Sequence, residues 1–460
     1  MDREKPGELE IISKKSADFF NYLESRLISL SSPGVRPGLK RISRLLASLG
    51  NPHLGIPAIH VVGTNGKGST AASLSAIFSA SGYKTALYTS PHLIHMGERL
   101  RINERLVAEE KWSDHFNRLD AALKQDEKLR SDPPTLFELI TALSLSITAE
   151  EMPDIAIVEA GLGGRLDATN LINPVAMSVI TSIAMDHESF LGDTIFKIGE
   201  EKFAVLRPHG KAFFSGEPEG LVPLFKVLCK KLNVSGHMLS EDWRVENVRS
   251  SYNGNEYDLV GSDVKLTGLA THLLGLHQVK NTALAASSAW ELKDQFANVT
   301  EKSIREGLHN VKWPGRLEWV NENPPLLLDG AHNPHGMASL VKSLKVLFTE
   351  KAQFVILFAV MRDKDYRTLL AMLSELNPKS LVLTAVPSLE RSAKPEELLR
   401  MAKGVFRRNS QIEAYDDAEE AYHRARRFGL PVLCCGSLYF VGWLKSYLER
   451  VHHGNGRLSA

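Results

Sequence analysis

Short apolar, β-branched runs alternate with stretches of helical periodicity along most of the chain. AIHVVG, TALYTS (85–90), DIAIVEAG and VAMSVITSI (175–183) have the length and composition of buried strands, as does KAFFSG. Between them STAASLSAIFSASG, EEKWSDHFNRLDAALKQDEKLR, TLFELITALSLSITAEE, TIFKIGEEKFAVLRP, LVPLFKVLCKKL and HQVKNTALAASSAWEL carry helical spacing. Of these, the EEKWSDH segment is expected to be one solvated amphipathic helix. Two further helical stretches, ADFFNYLESRLISL and LKRISRLLASLG, lead in, joined by the Pro/Gly loop SSPGVRPGLKR, which is either a connector or part of the mouth of a site. Polar strands around WRVENVRSSYNGNEYDLV close this first half. After VKWPGR the alternation restarts, from PLLLDGAHN through QFVILFAV and SLVLTAV to PVLCCGSLYFVGWLKSYLERV. That order predicts two α/β units with mostly parallel sheets: residues 1–310, a linker at 311–316, and a smaller unit at 317–460. The ends, residues 1–10 and HHGNGRLSA, are expected to fray.

Where strands give way to helices, the polar residues concentrate. Ile59 to Thr70, IHVVGTNGKGST, runs from strand through glycines into helix. Gly63, Gly66 and Gly68 let backbone N–H groups approach phosphate oxygens, the new helix turns its positive end the same way, and Lys67 and Ser69 add a charge and a hydroxyl. Only Thr64 and Asn65 separate Gly63 from Gly66, so this is a variant of the usual phosphate loop; a plain glycine turn is the alternative. Ser90 ends the second strand, facing the same side. Glu159 is the one carboxylate in its apolar run, so it calls for a partner: either Mg²⁺ shared with phosphates and water, or Arg165. Asp186 and His187 follow the next strand, and the His187 imidazole is able to ligate a metal. Lys202, among Ile198, Phe203, Ala204 and Val205, is expected to snorkel outward. Thr135 and Glu138 have capping-box spacing, which competes with any substrate role for Glu138. Asn281 and His277 share a helix face, and Asp329 to Asn333 form a polar cluster after the first strand of the second unit.

Size and composition narrow the class. At 460 residues two domains are expected. The chain is 43% hydrophobic and 24% charged, with 55 Lys+Arg against 54 Asp+Glu, which leaves no footprint for nucleic acid or an anionic membrane. The start, MDREKPGELE, has no apolar signal core, so a cytoplasmic protein is expected. The three cysteines, Cys229, Cys434 and Cys435, sit in apolar runs without zinc spacing and are expected to be structural. Neither low-complexity tracts nor a repeat is visible.

The motifs GTNGKGST, TSPHL, RINERL, TLFELITAL, EAGLGGRLDATN, ITSIAMDHESFLGDTIFKIGEEK, HQVKNTALA, WPGRLE and LLDGAHNP follow one another from residue 63 to 334. In this order they resemble the folylpolyglutamate synthase/dihydrofolate synthase family of the Mur ligase superfamily. The resemblance implies a phosphate-loop, Mur ligase-like central domain and a smaller Rossmann-like C-terminal domain. It implies an ATP-dependent ligase that adds L-glutamate to a folate, to dihydropteroate, or to both, through an acyl phosphate. By the same resemblance Gly66, Lys67, Gly68, Ser69, Asn281, Arg316 and Asp329 would contact ATP, with His332 a weaker candidate beside them. Ser90 and Glu159 would bind one Mg²⁺ and His187 a second. Lys67, His187, Lys202 and Arg316 would carry the catalysis, with Lys202 carbamylated. Thr135, Leu136, Phe137, Glu138, Leu166, Asp167 and Ala168 would line the pterin site, and a monomer is expected. The chain departs from the family in reading EKFAV where EKAG is usual. Two rivals remain: a UDP-muramyl peptide ligase, although only 62 residues precede Gly63, and a nucleotide-binding regulator without turnover.

Overall fold

A computed structural model describes residues 14–348, 352–406 and 411–455. Two lobes each wrap helices around their own sheet. The first sheet contains β1 (Leu54–Val62), β2 (Thr85–Tyr88), β3 (Leu100–Ile102), β4 (Arg105–Leu106), β5 (Ile155–Glu159), β6 (Asn173–Ile180), β7 (Lys211–Phe214) and β8 (Ser235–Met238). Its order is β4-β3-β2-β5-β1-β6-β7-β8, parallel from β2 to β8 with an antiparallel edge at β3 and β4. The central strands are apolar on both faces because helices cover both. On one side lie Lys67–Ala80, Leu276–Glu291 and Glu301–Asn310, with Phe78, Ala283 and Leu308 among the buried contacts. On the other lie Lys14–Leu30, Lys40–Ser48, Glu109–Gln125 and Leu136–Glu151 around Phe20, Leu46, Trp112 and Leu143.

A small antiparallel sheet of β9 (Arg244–Ser251), β10 (Gly254–Val260) and β11 (Lys265–Thr271) packs Tyr257, Leu259 and Leu266 onto the first of those clusters. The second lobe holds β12 (Glu318–Val320), β13 (Leu326–Leu328), β14 (Val355–Phe358), β15 (Ser380–Thr384), β16 (Gln411–Tyr415) and β17 (Val432–Cys435). They are ordered β12-β13-β17-β14-β15-β16, with β12 antiparallel and the rest parallel. Cys434 and Cys435 are buried in β17 and Cys229 in its helix, all as free thiols.

Three local expectations change. The EEKWSDH segment is two helices: Glu109–Gln125 ends at Asp126, whose carboxylate caps Glu127–Ser131 by accepting from the Lys128 and Leu129 N–H groups. Its apolar stripe, Trp112, Phe116 and Leu119, is core rather than solvated. β6 stops at Ile180, so Asp186 and His187 lie on the loop beyond it and not at the strand terminus. The closing helix, Leu438–Asn455, continues into the tail expected to fray; residues 1–10 and 456–460 lie outside the described residues. No helix among the described residues is long and apolar enough to cross a membrane.

Candidate active site between the lobes

Register brings the strand ends together. Val61 pairs with Glu159 and Val62 with Ile180, so β5 and β6 flank the carboxyl end of β1; Tyr88 pairs with Val158, which sets Ser90 beside Glu159. The Ser90 N–H donates to Glu159 Oε2 at 3.1 Å. Past Val62 the chain turns through the glycine loop into Lys67–Ala80. Gly66 caps that helix at φ +87°, and a Cβ there would lie 2.3 Å from Asn281 Oδ1. A Cβ on Gly68 would lie 2.5 Å from Trp313 Cζ2. Both glycines are therefore required by close approach, one to the helix bearing Asn281 and one to the linker. The Lys67 ammonium donates back to the Thr64 carbonyl at 3.1 Å. Ser69 is buried on the helix's first turn.

Two charged groups are buried beside this loop. Glu159 is 4% exposed, and no cation among the described residues forms an ion pair with it. Burial raises its carboxyl above the ordinary glutamate value, opposed by the Lys67 charge, the Ser90 N–H, Arg316 and Arg99. Arg165, the alternative partner, pairs with Glu201 at 2.8 Å instead, because the turn after Gly164 directs it outward. Lys202 does not snorkel. It is 3% exposed, and its Nζ donates to the Gly63 carbonyl at 2.7 Å. Burial, with Lys67 nearby, lowers its pKa to about 7. The helix face that carries it packs against the loop, which turns the side chain inward to the cleft and away from the outer surface.

The second lobe and the linker complete the cleft. Asp329 follows β13; its Oδ2 accepts from the Leu317 N–H at 2.9 Å and its Oδ1 from the Ala331 N–H at 2.8 Å. Arg316 lies against Gly330, where a Cβ would come within 2.4 Å of Nη1. His332 Nδ1 bonds the Gly330 carbonyl at 2.8 Å, and burial lowers its pKa to about 4. His187 adopts φ +52° with its side chain 44% exposed.

The pterin-site candidates occupy the first-lobe end of the same cleft, of about 1710 Å³. Thr135 and Glu138 do form the capping box: Glu138 Oε2 accepts from the Thr135 N–H at 2.7 Å and from Arg41 Nε at 3.1 Å. Phe137 packs over Gly161. Asp167 accepts from the Leu162 N–H at 2.7 Å and from the N–H and hydroxyl of Thr169 at 2.9 and 2.5 Å, so its carboxylate shapes the turn holding Leu166 and Ala168. Residues 31–38 line the cleft, so the Pro/Gly loop belongs to the mouth.

Sequence reasoning missed Arg99, Trp313 and Lys364. Arg99 is buried, bonded to His92 at 3.1 Å and directed at the cleft. Its signal lay at the head of the stretch RLRINERLVAEE, where alternating charge masked one inward arginine.

The donor set fits a magnesium ion that shares its coordination with substrate. One buried, unpaired carboxylate and a neighbouring hydroxyl suit an ion taking its other ligands from phosphates and water. Among the described residues no group of three or more His, Cys, Asp or Glu side chains forms a cage.

Residues 61–289 match the Mur ligase middle domain and residues 315–438 the Mur ligase glutamate ligase domain. The two lobes are thus the two halves of an ATP-dependent amide ligase. The dihydrofolate synthase/folylpolyglutamate synthase of Bacillus subtilis (strain 168) is 31% identical over 420 residues, covering 90% of this chain and 96% of that one. Mycobacterium tuberculosis folylpolyglutamate synthase, complexed with ADP and AMPPCP, superposes with a TM-score of 0.85 at 27% identity, over 94% of this chain and 98% of that one. Escherichia coli FolC in complex with DHPP and ADP gives 0.81 at 28%, over 94% and 98%. The chain belongs to the dihydrofolate synthase/folylpolyglutamate synthase family. The muramyl-peptide and regulatory alternatives are not favoured by these matches.

Proposed function

We propose how this cleft performs the reaction that family membership gives the chain, ATP-dependent addition of L-glutamate to a folate. A carboxylate is a poor electrophile. Its oxygen therefore attacks the γ-phosphorus of ATP, the β–γ bridging bond breaks, and ADP leaves an acyl phosphate. The glutamate amine then attacks the acyl carbon, phosphate departs, and the amine proton passes to solvent. In the first step anions meet anions, so charge neutralisation supplies much of the rate. Lys67 and the N–H groups of Gly66, Gly68 and Ser69 bind the phosphates. Arg316 approaches them from the linker, Asn281 orients the loop through Gly66, and Asp329 fixes the linker through its two backbone bonds.

Ser90 and Glu159 would hold one Mg²⁺ and His187 a second; bound there, the ions would neutralise phosphate charge. Lys202, with a pKa near 7, has enough free amine at neutral pH to take up CO₂, forming an N–C bond with loss of a proton. The resulting carbamate would replace a positive charge near the phosphates by a negative one. Thr135 to Glu138 and Leu166 to Ala168, with the 31–38 loop, form the pterin end. Lys364 and Arg391, which border the cleft from the second lobe, would receive the carboxylates of the incoming glutamate. We read the chain as a cytoplasmic monomer.

The observation that best supports this reading is the meeting of phosphate loop, Glu159 and Arg316 in one cleft. The test supplies ATP, Mg²⁺, glutamate and either dihydropteroate or a reduced folate, and follows ADP release together with glutamate incorporation. Release that depends on both the folate and glutamate is expected, and its absence with every acceptor would overturn the reading.

A further inference from the structure

Asn333 stands at the start of helix Pro334–Leu347 in the second lobe, buried, with its side chain turned toward the first lobe. Its Oδ1 accepts from the Gly336 N–H at 2.8 Å, capping the helix, and from Asn65 Nδ2 at 3.3 Å. Its Nδ2 donates to Asp186 Oδ2 at 2.9 Å and to Asn65 Oδ1 at 3.3 Å. A carboxamide has two N–H donors and two acceptor lone pairs. All four are used, and three of the bonds cross between the lobes.

The first-lobe partners are not incidental. Asn65 is in the phosphate loop itself, one residue before Gly66, and its carbonyl accepts from Thr181 Oγ1 at 2.8 Å just past β6. Asp186 precedes His187, whose N–H donates to Asp186 Oδ1 at 2.9 Å, and the Lys364 ammonium lies 3.5 Å from the same oxygen. His335 Nδ1 adds a contact to Asn65 Nδ2 at 2.8 Å. The second lobe thus grips the loop that binds phosphates and the loop that carries His187 through one amide.

Resting on the ligase reading above, we propose that Asn333 is a positioning residue that couples lobe closure to the occupied phosphate loop. Movement of the second lobe shifts Asn65 and Asp186 directly. Conversely, nucleotide that orders the loop favours the closed arrangement, since the two events share the same hydrogen bonds. Closure matters because an acyl phosphate open to water hydrolyses before glutamate attacks.

Asn333→Asp separates this role from helix capping. Aspartate keeps an acceptor for the Gly336 N–H and caps as well as asparagine. It removes both donors and sets a second carboxylate against Asp186. Three readouts are compared with wild type: thermal stability, binding of a non-hydrolysable ATP analogue with small-angle scattering before and after, and glutamate incorporated per ADP released. The expected result is a lowered melting temperature, because the bonds to Asn65 and Asp186 are lost and two carboxylates meet, together with analogue affinity weaker by about tenfold, within the usual span of coupling between sites, loss of analogue-induced compaction, and a lower incorporation ratio. Asn333→Asp combined with Asp186→Asn puts a donor back opposite an acceptor and should recover compaction.

An unchanged ratio with unchanged compaction overturns the proposal, as does a fall in melting temperature with the ratio intact, which would make Asn333 a structural tie alone. The ligase reading fails separately, when wild type itself incorporates no glutamate; the scattering arm still decides the coupling.

Discussion

Glu159 and Asp329 occupy equivalent places in the two lobes. Glu159 ends and Asp329 directly follows a short apolar strand, each is almost fully buried, and each has its pKa raised by burial. Their surroundings differ in one respect. Asp329 has a backbone N–H on each oxygen, whereas Glu159 has a single bond, from Ser90. A buried carboxylate with a donor on each oxygen is held in place as a structural fastener; one with a single bond retains more capacity for a cation. Asp167, with three donors, belongs with Asp329. The sheets alone are alike, so the chemistry is decided by the turns that follow the strands.

The sharpest way to break the comparison is Glu159→Gln. Turnover with Mg²⁺ should fall by about three orders of magnitude, the scale of losing one preorganised charge-stabilising group. Stability should move the other way. Burial raises the Glu159 pKa, so above the ordinary glutamate value the folded state keeps a proton that the unfolded chain has released. Stability from this group therefore declines as pH rises through that window. Glutamine removes the decline, and the ligand-free variant should melt at a higher temperature than wild type at neutral pH. Retained activity in a steady-state assay would cancel the assignment.

Lys202→Met extends the comparison to a buried cation. We expect turnover to drop about a hundredfold, near the lower end for such a group. The sign of the pH effect is opposite. With its pKa lowered from 10.5 to about 7, Lys202 is neutral in the fold where the unfolded chain still binds the proton, so stability rises with pH between those values. Melting curves of the variant over that range should lack the rise.

Asp329→Asn comes next. One of the two N–H groups, from Leu317 or Ala331, would then face an amide donor, at about 1–3 kcal/mol for an unsatisfied buried group. Denaturant midpoints should fall accordingly. Activity should fall less than for Glu159→Gln, because Arg316 would be loosened rather than lost.

These contrasts also show what was legible in the chain. Strand and helix order, the glycine loop between β1 and the Lys67–Ala80 helix, and the placement of Glu159 at a strand end followed from apolar runs broken by glycine, because period and turn chemistry are local. Lys202 was misjudged. Its apolar neighbours suit a snorkelling lysine or a buried one equally, and the choice depends on the Gly63 carbonyl, distant in sequence. Arg165 likewise finds Glu201 rather than Glu159 through a turn whose direction no local pattern specifies. The inter-lobe bonds of Asn333 were invisible for the same reason. Polar residues in a loop show what they are able to bind, and only the packing of two lobes shows what they meet.

Glu138 is the intermediate case and the finest test. Its Oε2 carries two donors, while Oε1 is buried without a partner among the described residues. As with Asp329, one oxygen of this carboxylate is a fastener, and as with Glu159, the other is available to a ligand in the cleft it lines. Glu138→Gln keeps an acceptor for the Thr135 N–H and weakens the charge-assisted bond from Arg41, so the stability loss should be small, about 1 kcal/mol. The free oxygen becomes an N–H₂ donor, or the amide turns and sacrifices the cap. If Oε1 accepts a hydrogen bond from the folate, KM for the folate should rise severalfold while KM for ATP stays constant. Equal KM values with the small stability loss would place Glu138 wholly with Asp329, as a fastener of the helix that the cleft is built on.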